Sequence, residues 1–212
     1  MKTAPILLAA MLVLASCGID NAPKMTKEES RLINESPEVF RILSVDNDSD
    51  LAVLRTPSVN FNVRDLKSAE YQSLAAKLVR TLESTDGGVG LAAPQIGINR
   101  RVVAVQRVDK EGEPIEVYPN IRIVEFRGEK EAGREGCLSV PDKAGSVLRY
   151  RDITIVYTDI HGAGTLRSGE ITEDVSGFAA VIFQHEVDHL DGVLYTDKCV
   201  PVEETVQSGS AN

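Results

Sequence analysis

From Asp65 to Glu83 the apolar residues Tyr71, Leu74, Ala75, Leu78 and Leu82 recur at i, i+3, i+4, i+7 and i+11. That spacing predicts an amphipathic helix, stopped before Asp86-Gly87-Gly88. Residues 38–63 place Phe40, Ile42, Leu43, Leu51, Val53, Leu54, Val59 and Phe61 among polar neighbours, with a turn at Asn47-Asp48-Ser49-Asp50. This stretch reads as extended. The largely apolar run 101–107 predicts a strand, Glu111-Gly112 a hairpin turn, and 115–124 a second strand. Further strands are expected near 147–150, 152–159 and 165–173, with Gly162 and Gly164 turning one hairpin. Gly177 to Phe183 is almost wholly apolar, which predicts a buried helix starting near Val175. Strands bracketed by two helices predict an α+β fold: largely antiparallel sheets around a buried C-terminal helix.

The two ends differ from this middle. Lys2 precedes the apolar run Ile6 to Ala15, too short to span a bilayer, so residues 1–16 read as a signal peptide. Leu14-Ala15-Ser16-Cys17 resembles the bacterial lipobox, which implies lipid on Cys17 as the mature N-terminus. The alternatives are a simple secretory signal, or translation from Met25 and a cytoplasmic protein. Residues 17–37 are polar and suit a tether with a short helix, 38–200 form one domain, and 201–212 an acidic flexible tail. The 23 Lys+Arg against 32 Asp+Glu give a net charge of −9, which argues against nucleic acid as a partner. Three cysteines give no disulfide framework, and Cys199, beside Val200, reads as core.

The chemistry concentrates in Gln184-His185-Glu186-Val187-Asp188-His189. On a helix His185 and His189 lie on one face, one turn apart, and can reach one metal ion. Glu186 can reach a water on that metal. A catalytic site of this kind takes a third protein ligand. No His follows, and His161 sits in a glycine-rich turn, so Cys137 is the best candidate, as a soft thiolate. Gly88 to Gly97 is rich in small residues that let a backbone approach a ligand. Within it Gln95 offers a neutral amide donor for an oxyanion.

Three blocks stand in order: Gly88-Val-Gly-Leu-Ala-Ala-Pro-Gln95, Glu135-Gly-Cys-Leu-Ser139 and Gln184-His-Glu-Val-Asp-His-Leu190. The set resembles the bacterial peptide deformylases, over about residues 49–199. The resemblance implies one divalent metal on Cys137, His185 and His189, natively Fe(II), with Ni, Co or Zn possible. It implies hydrolysis of the N-formyl group from formyl-methionyl peptides, with Glu186 as general base. Gln95 and the Leu138 backbone N–H would meet the oxyanion, and Val89, Gly90, Phe178, Val181 and Ile182 would line the methionine pocket. This chain departs from the family in having Tyr118-Pro119 for Asn-Pro, Arg134 before Glu135, and an export signal. An exported, lipid-anchored monomer would meet released formyl-peptides rather than the ribosome. A zinc peptidase of broader specificity and a non-catalytic formyl-peptide-binding lipoprotein are the competing readings. The intact Glu186 argues against the second of these.

Overall fold

The computed structural model describes residues 22–160 and 169–201. In chain order the helices are α1 (Lys27–Glu35), α2 (Asp48–Leu54), α3 (Val63–Leu66), α4 (Ala69–Glu83) and α5 (Gly177–Leu190). The strands are β1 (Gly90–Ala92), β2 (Val102–Gln106), β3 (Ile115–Pro119), β4 (Arg122–Cys137), β5 (Val140–Thr158), β6 (Glu170–Ser176) and β7 (Cys199–Val200). One antiparallel sheet has the order β1-β2-β3; a second has the order β4-β5-β6, with β7 also paired to β5.

Strand β2 shows why the layers stack as they do. Successive side chains on a strand point to opposite faces. Val102 and Ala104 join the core shared with Leu74, Leu78 and Leu82 of α4, and Val103 and Val105 join the core shared with Ala179, Phe183 and Val187 of α5. A strand covered on both faces needs no polar alternation, which accounts for its unbroken apolar run. Ile153, Ile155 and Val175 of the second sheet close the far side of α5. The apolar helix is thus held between two sheets.

Several expectations change on contact with the structure. Residues 38–63 are not extended throughout: Asn47 caps α2, its side chain accepting from Asp50 N–H, and Leu54 is buried. The asparagine cluster that signals a turn here signals a helix start. The helix foreseen from Asp65 is two: Asn62 caps α3, and Ser68 caps α4 by accepting from Tyr71 N–H. The foreseen strand 115–124 is split by Asn120, which has φ +54 and ties Phe61 to Thr158 through its side-chain amide. The foreseen strands 147–150 and 152–159 are one strand, β5, paired with the mostly exposed and charged β4.

The described part of the 17–37 segment is folded rather than a tether. Thr26 and Glu29 form a capping box at the start of α1, and Ile33 is fully buried. Most of its polar side chains are exposed, but Glu29 and several backbone carbonyls meet buried cations. Buried Arg100 holds the Glu29 carboxylate and the carbonyls of Pro23 and Lys24, and Lys77 Nζ donates to the carbonyls of Ile33 and Ser36 at the other end of α1. Cys17, His161, most of the 159–164 turn, and residues 202–212 of the tail lie outside the described residues. Cys199 is exposed, not core, because β7 lies at the margin of its sheet.

Candidate active site

Helix α5 carries His185, Glu186 and His189, and β4 ends on Cys137 where it turns back into β5. The potential ligand atoms of Cys137, His185 and His189 all lie within 4.8 Å of one another. Cys137 Sγ is 3.2 Å from His189 Nε2. Two ligands of a tetrahedral ion with bonds of roughly 2.0–2.3 Å sit roughly 3.3–3.8 Å apart, so a small adjustment brings the three onto one ion.

The second nitrogen of His185 is already engaged. Its Nδ1 donates to Glu135 Oε2 at 2.9 Å, so Nε2 is the nitrogen on the side of the ligand cluster, able to bind an ion once its proton is displaced. Glu135 is buried, and Arg149 grips it through Nε at 2.8 Å and Nη2 at 3.0 Å. Arg149 also donates to Asp188, which accepts from Lys198. Burial opposes ionisation of Glu135, but the hydrogen bonds from His185 and Arg149 outweigh it and hold its carboxyl down at about 2. Burial likewise opposes charge on His185, yet Cys137 and Glu135 raise it to about 10. A field that favours positive charge at that ring also favours a bound cation. Burial, and then the neighbouring His185, keep His189 well below the usual range, and hence neutral as a ligand must be.

Glu186 points to the other side of the cluster. It is buried, its Oε2 has no hydrogen-bond partner, and burial pushes its carboxyl up to about 7. Gly90 of β1 makes room for it. A Cβ on Gly90 would lie 2.3 Å from Glu186 Oε1 and 2.7 Å from its Cδ. Gly90 thus makes room for the carboxylate and at the same time lines the cleft, where a pocket residue was expected. Gln95 is buried in a short 3-10 helix, Ala93–Ile96. Its Oε1 accepts from Ala92 N–H at 2.8 Å, which fixes the flip of the amide. Nε2 then faces Ser139 Oγ at 3.2 Å and Cys137 Sγ at 3.7 Å.

These groups open into a cavity of about 420 Å³. Val89, Leu138, Phe178, Val181 and Ile182 line it with Gly90, Gln95, Cys137, His185 and Glu186. Ile182 and Val181 are buried, and Phe178 is 53% exposed. The structure thus brings the described candidate residues of the cleft to one place, with His189 behind its floor. Sequence reasoning gave no role to Glu135, Arg149 or Ser139. Glu135 stands two positions before Cys137, but the strand register shifts between Gly136 and Cys137, so alternation along the strand could not assign its side. Arg149 had no local signal, since it meets Glu135 only through strand pairing and packing.

The polypeptide deformylase family model matches residues 39–205. The chain belongs to the polypeptide deformylase family. It is 42% identical over 133 residues to the peptide deformylase of Desulforudis audaxviator, which covers 63% of this chain and 80% of that protein. The fold matches the crystal structure of peptide deformylase from Thermotoga maritima with a TM-score of 0.65 at 31% identity, covering 77% of this chain and 99% of the other. It also matches a Met-Ala-Ser-bound class I type b peptide deformylase from Acinetobacter baumannii, with a TM-score of 0.62 at 32% identity over 76% and 98% of the two chains. Helix α1 precedes the matched region. Deformylases use a single metal ion, and the soft sulfur and two imidazoles converging here fit one.

Proposed function

We infer that the protein is a metal-dependent hydrolase that removes the N-formyl group from formyl-methionyl peptides and releases formate. The observation that carries this is the convergence of Cys137, His185, His189 and the unpartnered Glu186 carboxylate on one cleft. The family match and the Met-Ala-Ser complex of the A. baumannii relative support a peptide in that cleft. The ion would be held by Cys137 Sγ and by Nε2 of His185 and His189, and supplies Lewis acidity toward the formyl oxygen and an acidified water. Glu186, with a carboxyl tuned near neutrality, accepts the proton of the attacking water. It then returns that proton to the departing amine nitrogen as the C–N bond breaks, giving formate and a free N-terminus. The Gln95 amide, oriented by Ala92 N–H, donates to the oxyanion as charge develops there, and the Leu138 backbone N–H is the second donor. Val89, Phe178, Val181 and Ile182 hold the methionine side chain. The decisive assay measures formate release from formyl-Met peptides beside cleavage of unformylated peptides. Cleavage of internal peptide bonds without formate would favour the zinc peptidase instead.

Glu135 and Arg149 position His185. Glu135→Gln is expected to weaken metal binding about 10–100-fold, read in a chelator competition. An unchanged affinity would remove that role.

The export reading also stands as a proposal: lipid on Cys17, and a protein held outside the cytoplasm as a monomer with Zn or another oxidation-resistant metal. The folded segment revises the geometry of that anchor. Arg100 binds the carbonyl of Pro23, so only the stretch from Cys17 to Ala22 is left to span, at most about 17 Å for five residues. The face bearing the start of α1 would then lie against the headgroups. Mass spectrometry of the N-terminus tests this: a diacylglyceryl-modified Cys17 is expected, and an N-terminus at Met1 or Met25 would place the protein in the cytoplasm.

A further inference from the structure

We propose that Arg134 reads negative charge on the peptide beyond formyl-methionine, so that the enzyme favours short peptides with a free C-terminal carboxylate. The inference rests on the deformylase reading of the cleft and names which of its substrates are preferred.

Arg134 is exposed and lines the same cavity as Cys137 and Glu186. Among the described residues, every other arginine except Arg64 forms a salt bridge with a carboxylate. Arg134 forms none there, in a chain with 32 acidic residues. A free guanidinium at the mouth of an otherwise acidic cleft is a feature that ion pairing within the fold does not explain.

The distance suits a particular part of the substrate. Arg134 stands three residues before Cys137 on β4. Three residues along a strand span about 10 Å. An extended peptide with its formyl carbon at the ligand cluster advances at the same rate, so its second or third residue comes level with Arg134. The N-terminus of such a peptide is blocked, which leaves the C-terminal carboxylate as its one terminal charge. A planar guanidinium binds a carboxylate through two parallel hydrogen bonds. The other charged side chains lining the cavity do not compete for it. Glu135 is held by Arg149 and His185, Glu186 lies at the floor, and His185 belongs to the ligand cluster. Asp86, exposed on the lining as well, repels an anion and sharpens the need for Arg134. A chain still attached to the ribosome offers no carboxylate within this reach, whereas a released formyl-tripeptide does.

The test compares kcat/KM for formyl-Met-Ala-Ala as the free acid and as the C-terminal amide, using the purified full chain loaded with Zn or Ni. Wild type is expected to favour the acid roughly 2–5-fold at low salt, the upper part of the range an exposed ion pair gives, and less at high salt. Arg134→Gln is expected to raise KM for the acid and bring the ratio to about one, and Arg134→Lys to keep part of the preference. A ratio of one in wild type, or a ratio that Arg134→Gln leaves in place, would overturn the proposal while formate release from both peptides upholds the activity. Formate release from neither peptide would overturn the deformylase reading and this inference with it.

Discussion

Glu186→Gln is expected to lower formate release by about 10²–10⁴-fold while the metal and the fold are retained. Gln is nearly the shape of Glu, so Gly90 still accommodates it and α5 still packs between the sheets. The substitution removes only the ability to take and return a proton. It also removes a charge that burial penalises, so the variant should be no less stable than wild type. Metal content and circular dichroism establish that the site is intact, and single-turnover rates then isolate the chemical step. The pH profile gives a second readout. The base works as the carboxylate, so wild-type kcat/KM falls as pH drops through the Glu186 pKa. That pKa is about 7 from the protein's own groups, and a cation nearby pulls it lower, so the limb lies at or below neutrality. The Gln variant should lack this limb. A variant with near wild-type turnover and the same acidic limb would mean that another group carries the proton.

The parts of this molecule that could be read from sequence are those with a single dominant periodicity. The face of α4 bearing Tyr71, Leu74, Leu78 and Leu82 is one such part, and the unbroken apolar β2 is another. The long β4–β5 pair was hard to read for a physical reason. From Glu125 to Arg134 most of β4 faces solvent, so no apolar alternation marks it, and bulges between Ile123 and Glu125 and between Arg127 and Lys130 shift its register. Helix α1 was foreseen as a short helix in a polar tether, but its docking onto the domain was hidden. Its sequence is polar, but Glu29 is drawn inward by Arg100, a residue 71 positions away. A buried ion pair of distant residues leaves no local pattern. The same holds in the cleft: His185 and His189 declare themselves by helical spacing, whereas Arg149, which holds Glu135 against His185, is visible only once the strands are paired.

Cys137→Ala is expected to reduce bound metal from one ion per chain to near zero after dialysis, and activity with it. The two remaining ligands sit one turn apart on α5, and two imidazoles alone make a weak site where three protein ligands are the rule. The thiolate is also the softest donor of the set and the one that neutralises part of the cation's charge. The fold should survive, because Cys137 is only half-buried at the end of β4, and its packing partners Val140, Val147 and Tyr195 also hold one another. Loss of metal can therefore be separated from loss of structure by elemental analysis alongside a thermal melt. Cys199→Ser is the internal control. Cys199 is exposed, donates to the Tyr195 carbonyl, and belongs to no ligand group among the described residues, so that variant should keep its metal. Retention of one ion per chain by Cys137→Ala would place the third ligand elsewhere. Glu186 would be the first group to examine, since its Oε2 has no hydrogen-bond partner, and a ligand role for it would displace it as the proton carrier. The two substitutions thus test one partition of the site: Cys137 binds the ion, and Glu186 stays free of it in order to move a proton.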